Sequence, residues 1–355
     1  MHKNNFDFLR LIFALLVVVH HSFPLSGASE QDSLFYATNG LLSFSYIGVR
    51  GFFVISGFLI FPSLMRSKNL ADYFVKRVLR IYPGLFVVLL ITLLFSVFLY
   101  NRSILSFFSN REVYTYIPVN LSLIKLQNHI SGVFENNIFP RAVNGSLWTI
   151  VYEFTMYCTI AFFIFIRQKS MKLQRRLLLL FIAIFFIIRA FQEDIETIHI
   201  GTLSLYIFAH NAIYFYVGAL LSTYDINKIK FKPYILIASF AAWLLLLENP
   251  NFELIQYFLF PVIVLFFGTY STKYLNNISE TIGDLSYGVY IYGFPIQQTF
   301  MHFFAFSCLQ LTLVATPFIF IFAWLSWHLV EKKALNNKSK VYAYLEKKWR
   351  LQPIV

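Results

Sequence analysis

The chain has 355 residues, of which 58% are hydrophobic, 20% aromatic and only 13% charged, with a mean hydropathy of +0.64. Soluble domains carry about 25% charged residues, so this composition excludes a soluble globule and specifies an integral membrane protein. The net charge of +12 is spread in short Lys/Arg clusters between apolar runs instead of forming one basic face, which excludes nucleic acid as a partner and assigns the charge to membrane topology.

Ten apolar stretches of roughly the length that crosses about 30 Å of hydrocarbon follow in chain order. They are 8–25, 41–61, 80–100, 146–166, 177–191, 205–221, 234–248, 254–270, 285–304 and 310–330. With the N-terminus placed inside, 23 Lys and Arg residues, from Lys3 to Arg350, fall in inside segments; five fall outside and Arg50 lies within the second stretch. The asymmetry predicts an all-α polytopic membrane protein of about ten transmembrane helices with both termini cytoplasmic. A transmembrane domain is expected over 1–335 and a short basic cytoplasmic tail over 336–355. Lys3 before the first stretch and Ser26-Gly27-Ala28 after it imitate a signal peptide, but Arg10, His20 and His21 interrupt the run, so it reads as a retained helix. The long outer segment 101–145 is rich in Asn and Ser, has little periodicity and has room to re-enter the membrane in part. Cys158 and Cys308 form no CxxC pair and no zinc-spaced cluster, so neither a disulfide framework nor a metal site is expected.

Ionisable groups inside a bilayer cost several kcal/mol unless paired or hydrated, which makes each one a functional candidate. Arg10 and His21 are eleven residues apart, three turns plus about 20°, so they share one helical face about 16 Å apart along the axis, while His20 points elsewhere. That face sets a fixed cation near the inner boundary and a titratable imidazole deeper in. Arg77 and Arg80 are neighbours on one face just before Pro83, which suits a helix's first turn; they form either a phosphate clamp or ordinary interfacial charge. Glu153, with Tyr157 four residues on, either orients an imidazole or pairs with Arg50. Gly48, Gly51 and Gly57 around Ser56 favour close helix approach over a nucleophilic role for Ser56. His210 and His328 have no evident partners and read as structural.

Six segments together resemble the bacterial integral-membrane acyltransferase family 3. They are FDFLRLIFALLVVVHHSFPL at 6–25, GVRGFFVISGFLI at 48–60, KRVLRIYP at 76–83, SLWTIVYEFTMY at 146–157, GDLSYGVYIYGFPIQQ at 283–298 and HLVEKKAL at 328–335. In the first segment the family's Arg and catalytic His are separated by ten intervening residues, which selects His21. Three positions depart from the pattern: Gly293 stands where many relatives have His, Arg50 where charge is uncommon, and Lys332-Lys333 where Arg-Pro is common. With about 24 residues after Glu331, the resemblance implies a stand-alone form without a fused periplasmic domain.

The resemblance implies an O-acyltransferase that moves an acetyl or other short acyl group from cytoplasmic acyl-CoA to a hydroxyl of an extracytoplasmic polysaccharide or lipid-linked sugar. It is expected in the bacterial inner membrane and needs no bound cofactor, acyl-CoA being the donor substrate. His21 and Glu153 are the expected catalytic pair, and Arg10, Arg77 and Arg80 the donor-binding cations. Arg50, Ser56, Trp148, Ser286, Tyr287 and Glu331 are expected in supporting positions. The alternatives are acylation of a secreted metabolite or antibiotic, and a non-enzymatic glycan or lipid transporter, against which stands the lack of an inverted repeat.

Overall fold

The computed structural model describes residues 4–191, 197–276 and 278–349. Lys3 and Arg350, which enter the topology count, lie outside the described residues. Helix dominates, and the sheet among the described residues is one antiparallel pair, β1 (His199–Ile200) with β2 (Leu203–Ser204).

Each of the ten apolar stretches holds a helix. In chain order these are α1 (Phe6–Ser26), α2 (Phe44–Met65), α3 (Leu70–Ser96), α4 (Trp148–Ile160), α5 (Met171–Ala190), α6 (Leu205–Leu221), α7 (Lys232–Leu245), α8 (Phe252–Gly268), α9 (Ser286–Phe303) and α10 (Cys308–Ser326). Among the described residues, five segments are long and apolar enough to cross a membrane: α1, α2, α3, α4 with its continuation to Ile166, and α10 with the helical turns after it. At 21 residues, α1 is about 32 Å long, the thickness of a hydrocarbon core. Phe86, Leu94, Ile237, Leu313 and Ile321 stay exposed on outer helix faces, as lipid-facing side chains do.

Local signals set the helix ends. Gly27 closes α1 in the left-handed conformation that glycine adopts without Cβ strain. Ser43 and Asn69 cap α2 and α3 by accepting backbone N–H bonds from Tyr46 and Asp72. The cap at Asn69 corrects the sequence reading: α3 begins at Leu70, not near 80, and Pro83 lies in its interior instead of its first turn. Hydropathy missed the first turns because Lys76, Arg77 and Arg80 occupy them.

Packing explains the glycines. α1 contacts α2, α9 and α10, and α2 crosses α6 at a separation that glycine alone permits. A Cβ on Gly57 would overlap the Phe215 carbonyl oxygen of α6, and one on Gly218 the Val54 carbonyl of α2. A Cβ on Gly48 would sit 2.6 Å from the Phe13 carbonyl oxygen of α1. The small residues around Ser56 therefore bring three helices together, as membrane interfaces without a hydrophobic driving force require.

The segment before α4 enters the bundle. Pro295 has no N–H, so the Ile291 carbonyl of α9 lacks its helical donor, and the side-chain amide of Asn144 donates to it at 3.0 Å. Gln298 donates to the carbonyl of Ala142 at 3.0 Å and accepts from Asn137 at 3.0 Å. Ile291 lies twelve residues, about 18 Å along the axis, from the end of α9 at Phe303, so the segment reaches well down the helix.

Candidate active site

The start of α1, the α2–α3 connection and the helical turns after α10 meet at one end of the bundle, hereafter the basic end. A cavity of about 460 Å³ opens there. Arg10, Arg66, Lys76, Arg77, Arg80 and Lys338 line it, as do Ser56, Ser63, Thr149, Glu153, Tyr157, Tyr287 and Tyr290 between apolar walls from α2 and α3. Arg10, Arg77, Arg80 and Glu153, four of the five residues singled out for chemistry or donor binding, thus share one cavity.

The cations are not equivalent. Asp284, in the turn before α9, takes Arg10 at 3.0 Å and Arg80 at 2.7 Å on the same carboxylate oxygen, and its other oxygen accepts from Ser286 at 2.8 Å. Burial opposes charge on Asp284, yet Arg10 and Arg80 hold its carboxyl well below the usual carboxylate range. Arg80 also lies 3.8 Å from Glu331, whose other oxygen accepts from Ser326 at 2.8 Å, and over the rings of Tyr287 and Trp327. Tyr287 donates to the Ile81 carbonyl at 2.9 Å, fixing α9 to α3. Lys76 pairs with Asp72 at 2.8 Å. Among the described residues, Arg66, Arg77 and Lys338 have no carboxylate partner, and Arg77 keeps a buried Nε without an acceptor between the rings of Tyr73 and Tyr157. Asp284, absent from the expected site, is its charge hub; the visible signal was an acid between Gly283 and Leu285 at a span boundary.

Glu153 lies on the cavity wall, hydrogen-bonded by Tyr157 and by Ser56 at 3.3 Å. Its two partners are hydroxyls, and no ion pair joins it to Arg50, whose guanidinium stacks on Tyr46 at 4.0 Å. Trp148, one turn before Tyr152, packs edge-on against it at 5.4 Å.

His21 lies beyond the cavity lining. Its ring meets Phe294 edge-on at 5.1 Å, and its Nδ1 is buried without a hydrogen-bond partner. Tyr290, one turn before Phe294 on α9, lines the cavity and bonds Thr149 at 2.6 Å. About 6 Å of helix axis therefore separates the cavity residue Tyr290 from the aromatic partner of His21. Gly145 of the inserted segment makes room for Phe294, since a Cβ there would sit 2.6 Å from the ring. Among the described residues no hydrogen bond links His21 to Glu153. His20 faces away, as the helical-face argument expected, and its Nδ1 lies 2.7 Å from the buried carboxylate of Asp32. Asp32 also accepts from the backbone N–H groups of Leu34, Phe35 and Phe44. His210, read as structural for want of a partner, bonds Tyr257, 47 residues away.

The arrangement offers a polyanion a cationic mouth, a hydroxyl-bonded carboxylate further in, and an unpartnered imidazole past an aromatic step. A family model described as an acyltransferase domain matches residues 3–329. An O-acetyl transferase of Shigella phage Sf6 is 29% identical over 346 residues, covering 96% of this chain and 98% of its own. Nodulation protein 10 of Rhizobium leguminosarum bv. viciae is 35% identical over 171 residues, 45% of this chain and 43% of its own. No solved structure matches the chain.

Proposed function

Because the chain belongs to acyltransferase family 3 and is thus an acyltransferase of the membrane, we propose that it O-acetylates a sugar on the far side of the bilayer from its acyl-CoA donor. The observation that carries this reading is the cavity, which leads from six basic side chains at its mouth to Glu153, Ser56 and Tyr290 inside. A 3′-phosphorylated ADP and its diphosphate suit that mouth, and the narrow apolar walls suit a pantetheine arm carrying a thioester. The basic end is then cytoplasmic, in line with the excess of Lys and Arg there, in a bacterial inner membrane crossed about ten times.

In this reading Arg77, Arg66 and Lys338 bind phosphate directly. Arg10 and Arg80, already neutralised by Asp284, shape the mouth and add donors once phosphate competes for them. His21 takes the proton from the acceptor hydroxyl as its oxygen attacks the acyl carbon and the coenzyme A thiolate leaves. Its buried Nδ1 leaves the other ring nitrogen as the base. Glu153 acts through Ser56 and Tyr157 on the donor side and does not orient the imidazole directly. Family membership sets aside the transporter alternative.

The test compares surface glycan from a deletion strain complemented with wild type or His21→Ala. NMR and mass spectrometry are expected to find base-labile acetyl esters with wild type alone. Ester content equal in both strains would remove His21 from the chemistry. Unchanged glycan with a missing ester on a secreted small molecule would move the acceptor to the metabolite class.

A further inference from the structure

A second polar cluster lies on another face of α2. Arg50 is six residues before Ser56, about 240° around the helix, so it points away from the acyl-CoA cavity. It covers Tyr46 of its own helix, in a cluster that also holds His210 and Tyr214 of α6, Glu253 and Tyr257 of α8, and Arg189 at the end of α5. The Arg50 guanidinium covers the Tyr46 ring, the Tyr46 and Tyr214 hydroxyls are 3.0 Å apart, and His210 Nδ1 bonds the Tyr257 hydroxyl. Arg189 pairs with Glu253, which also lies 3.9 Å from His210.

This network is less complete than the Asp284 hub at the basic end. There Asp284 and Glu331 answer Arg10 and Arg80; here Glu253 pairs with Arg189, and Arg50 has no acidic partner among the described residues. Arg50 Nε, Arg189 Nε and His210 Nε2 are buried with no hydrogen-bond partner. Both amide atoms of Asn211 are likewise orphaned, although the residue is fully buried. Asn211 is two turns before Gly218 and shares its face toward α2. Leaving a buried polar group unsatisfied is costly, so several together mark a site suited to an acceptor-rich group. Glu253, in the first turn of α8, is 46% exposed, so the cluster reaches the surface near the start of α8.

We propose that Arg50, with His210, Asn211 and Arg189, forms a binding site for an oxyanion, the carboxylate or phosphate of an acidic or lipid-linked sugar. Only the side of the membrane from which the ligand arrives rests on the function proposed above. The guanidinium of Arg50 supplies a bidentate fork, and Tyr46, Tyr214 and Tyr257 supply ring faces and hydroxyls beside it. The site is separate from the acyl-transfer path, because α2 presents Ser56 to one and Arg50 to the other.

The test uses the full chain in phosphatidylcholine nanodiscs, with glucuronate, glucose 1-phosphate and glucose as probes and thermal melting and calorimetry as readouts. Glucuronate or glucose 1-phosphate is expected to raise the melting temperature while glucose does not. Arg50→Gln is expected to weaken anion affinity at least tenfold, Arg50→Lys to weaken it less, and His21→Ala to leave it unchanged. Nanodiscs doped with phosphatidylglycerol form the other arm: stabilisation there that depends on Arg50, without response to the sugar anions, assigns the oxyanion to a bilayer lipid. Anion binding of equal strength in wild type and a normally folded Arg50→Gln protein overturns the proposal, as does no anion response in either arm. Because His21→Ala tests acyl transfer and Arg50→Gln tests binding, one reading can fail while the other stands.

Discussion

Neutralising Asp284 as Asp284→Asn leaves two guanidiniums facing each other at the mouth of the cavity. Breaking one side of a buried ion pair costs about 3–5 kcal/mol, so a large drop in melting temperature in detergent is expected. The sign of its pH dependence follows from the lowered carboxyl: its stabilisation is complete above the unfolded value of about 3.9 and is lost as pH falls toward the folded one. The melting gap between wild type and Asp284→Asn should therefore hold through neutral pH and close below about pH 4. Arg77→Ala behaves differently because no carboxylate depends on it: the fold should persist while KM for acyl-CoA rises about tenfold, the effect of losing one charged hydrogen bond. At the first helix, His20→Ala should cost about 1–3 kcal/mol through Asp32 and retain turnover per folded molecule, whereas His21→Ala should retain stability and lose turnover. The division between the two histidines was legible in the sequence because helical periodicity alone separates adjacent residues by 100°. Asp284 was not, since its partners are 204 and 274 residues away and no local pattern encodes such a pairing.

Helices cross where side chains are missing, and the α2–α6 crossing is the tightest case. A Cβ on Gly57 meets a backbone oxygen that no rotamer change can move, so even Gly57→Ala must push α2 off α6. Overpacking of this kind costs about 1–3 kcal/mol, and a loss of thermal stability larger than that of a lipid-facing control such as Leu313→Ala is the expected readout. Asn144→Leu should cost about 1–3 kcal/mol by stripping the Ile291 carbonyl of its donor, and should lower acyl transfer by loosening the segment beside Phe294. Helix positions were legible because apolar length is a strong signal in a membrane. The start of α3 was not, because its first turns carry the cavity's own charges and so read as a loop. The entry of 130–147 into the bundle was visible only as weak periodicity, since Asn side chains answering a proline-freed carbonyl leave no periodic trace.

At the scale of the whole molecule, six basic side chains gather around one cavity at one end of the bundle. Donor binding should accordingly weaken with salt: raising ionic strength from about 0.1 M to about 1 M shortens the screening length from roughly 10 Å to roughly 3 Å, and KM for acyl-CoA should rise several-fold with little change in kcat. A KM indifferent to salt would argue against a cationic mouth. The fold class could be read from composition, and the grouping of four expected site residues followed once α1, α3 and α4 were packed together. The split of the cations into answered and unanswered ones needed the tertiary structure. That split also bears on biogenesis. Arg80 leaves the ribosome 204 residues before Asp284, which at about 5–20 residues per second leaves its charge unanswered for roughly 10–40 s of synthesis. During that interval Arg80 has neither Asp284 nor Glu331 beside it, and the contact that joins α1 and α3 through Asp284 can close only when the turn before α9 arrives.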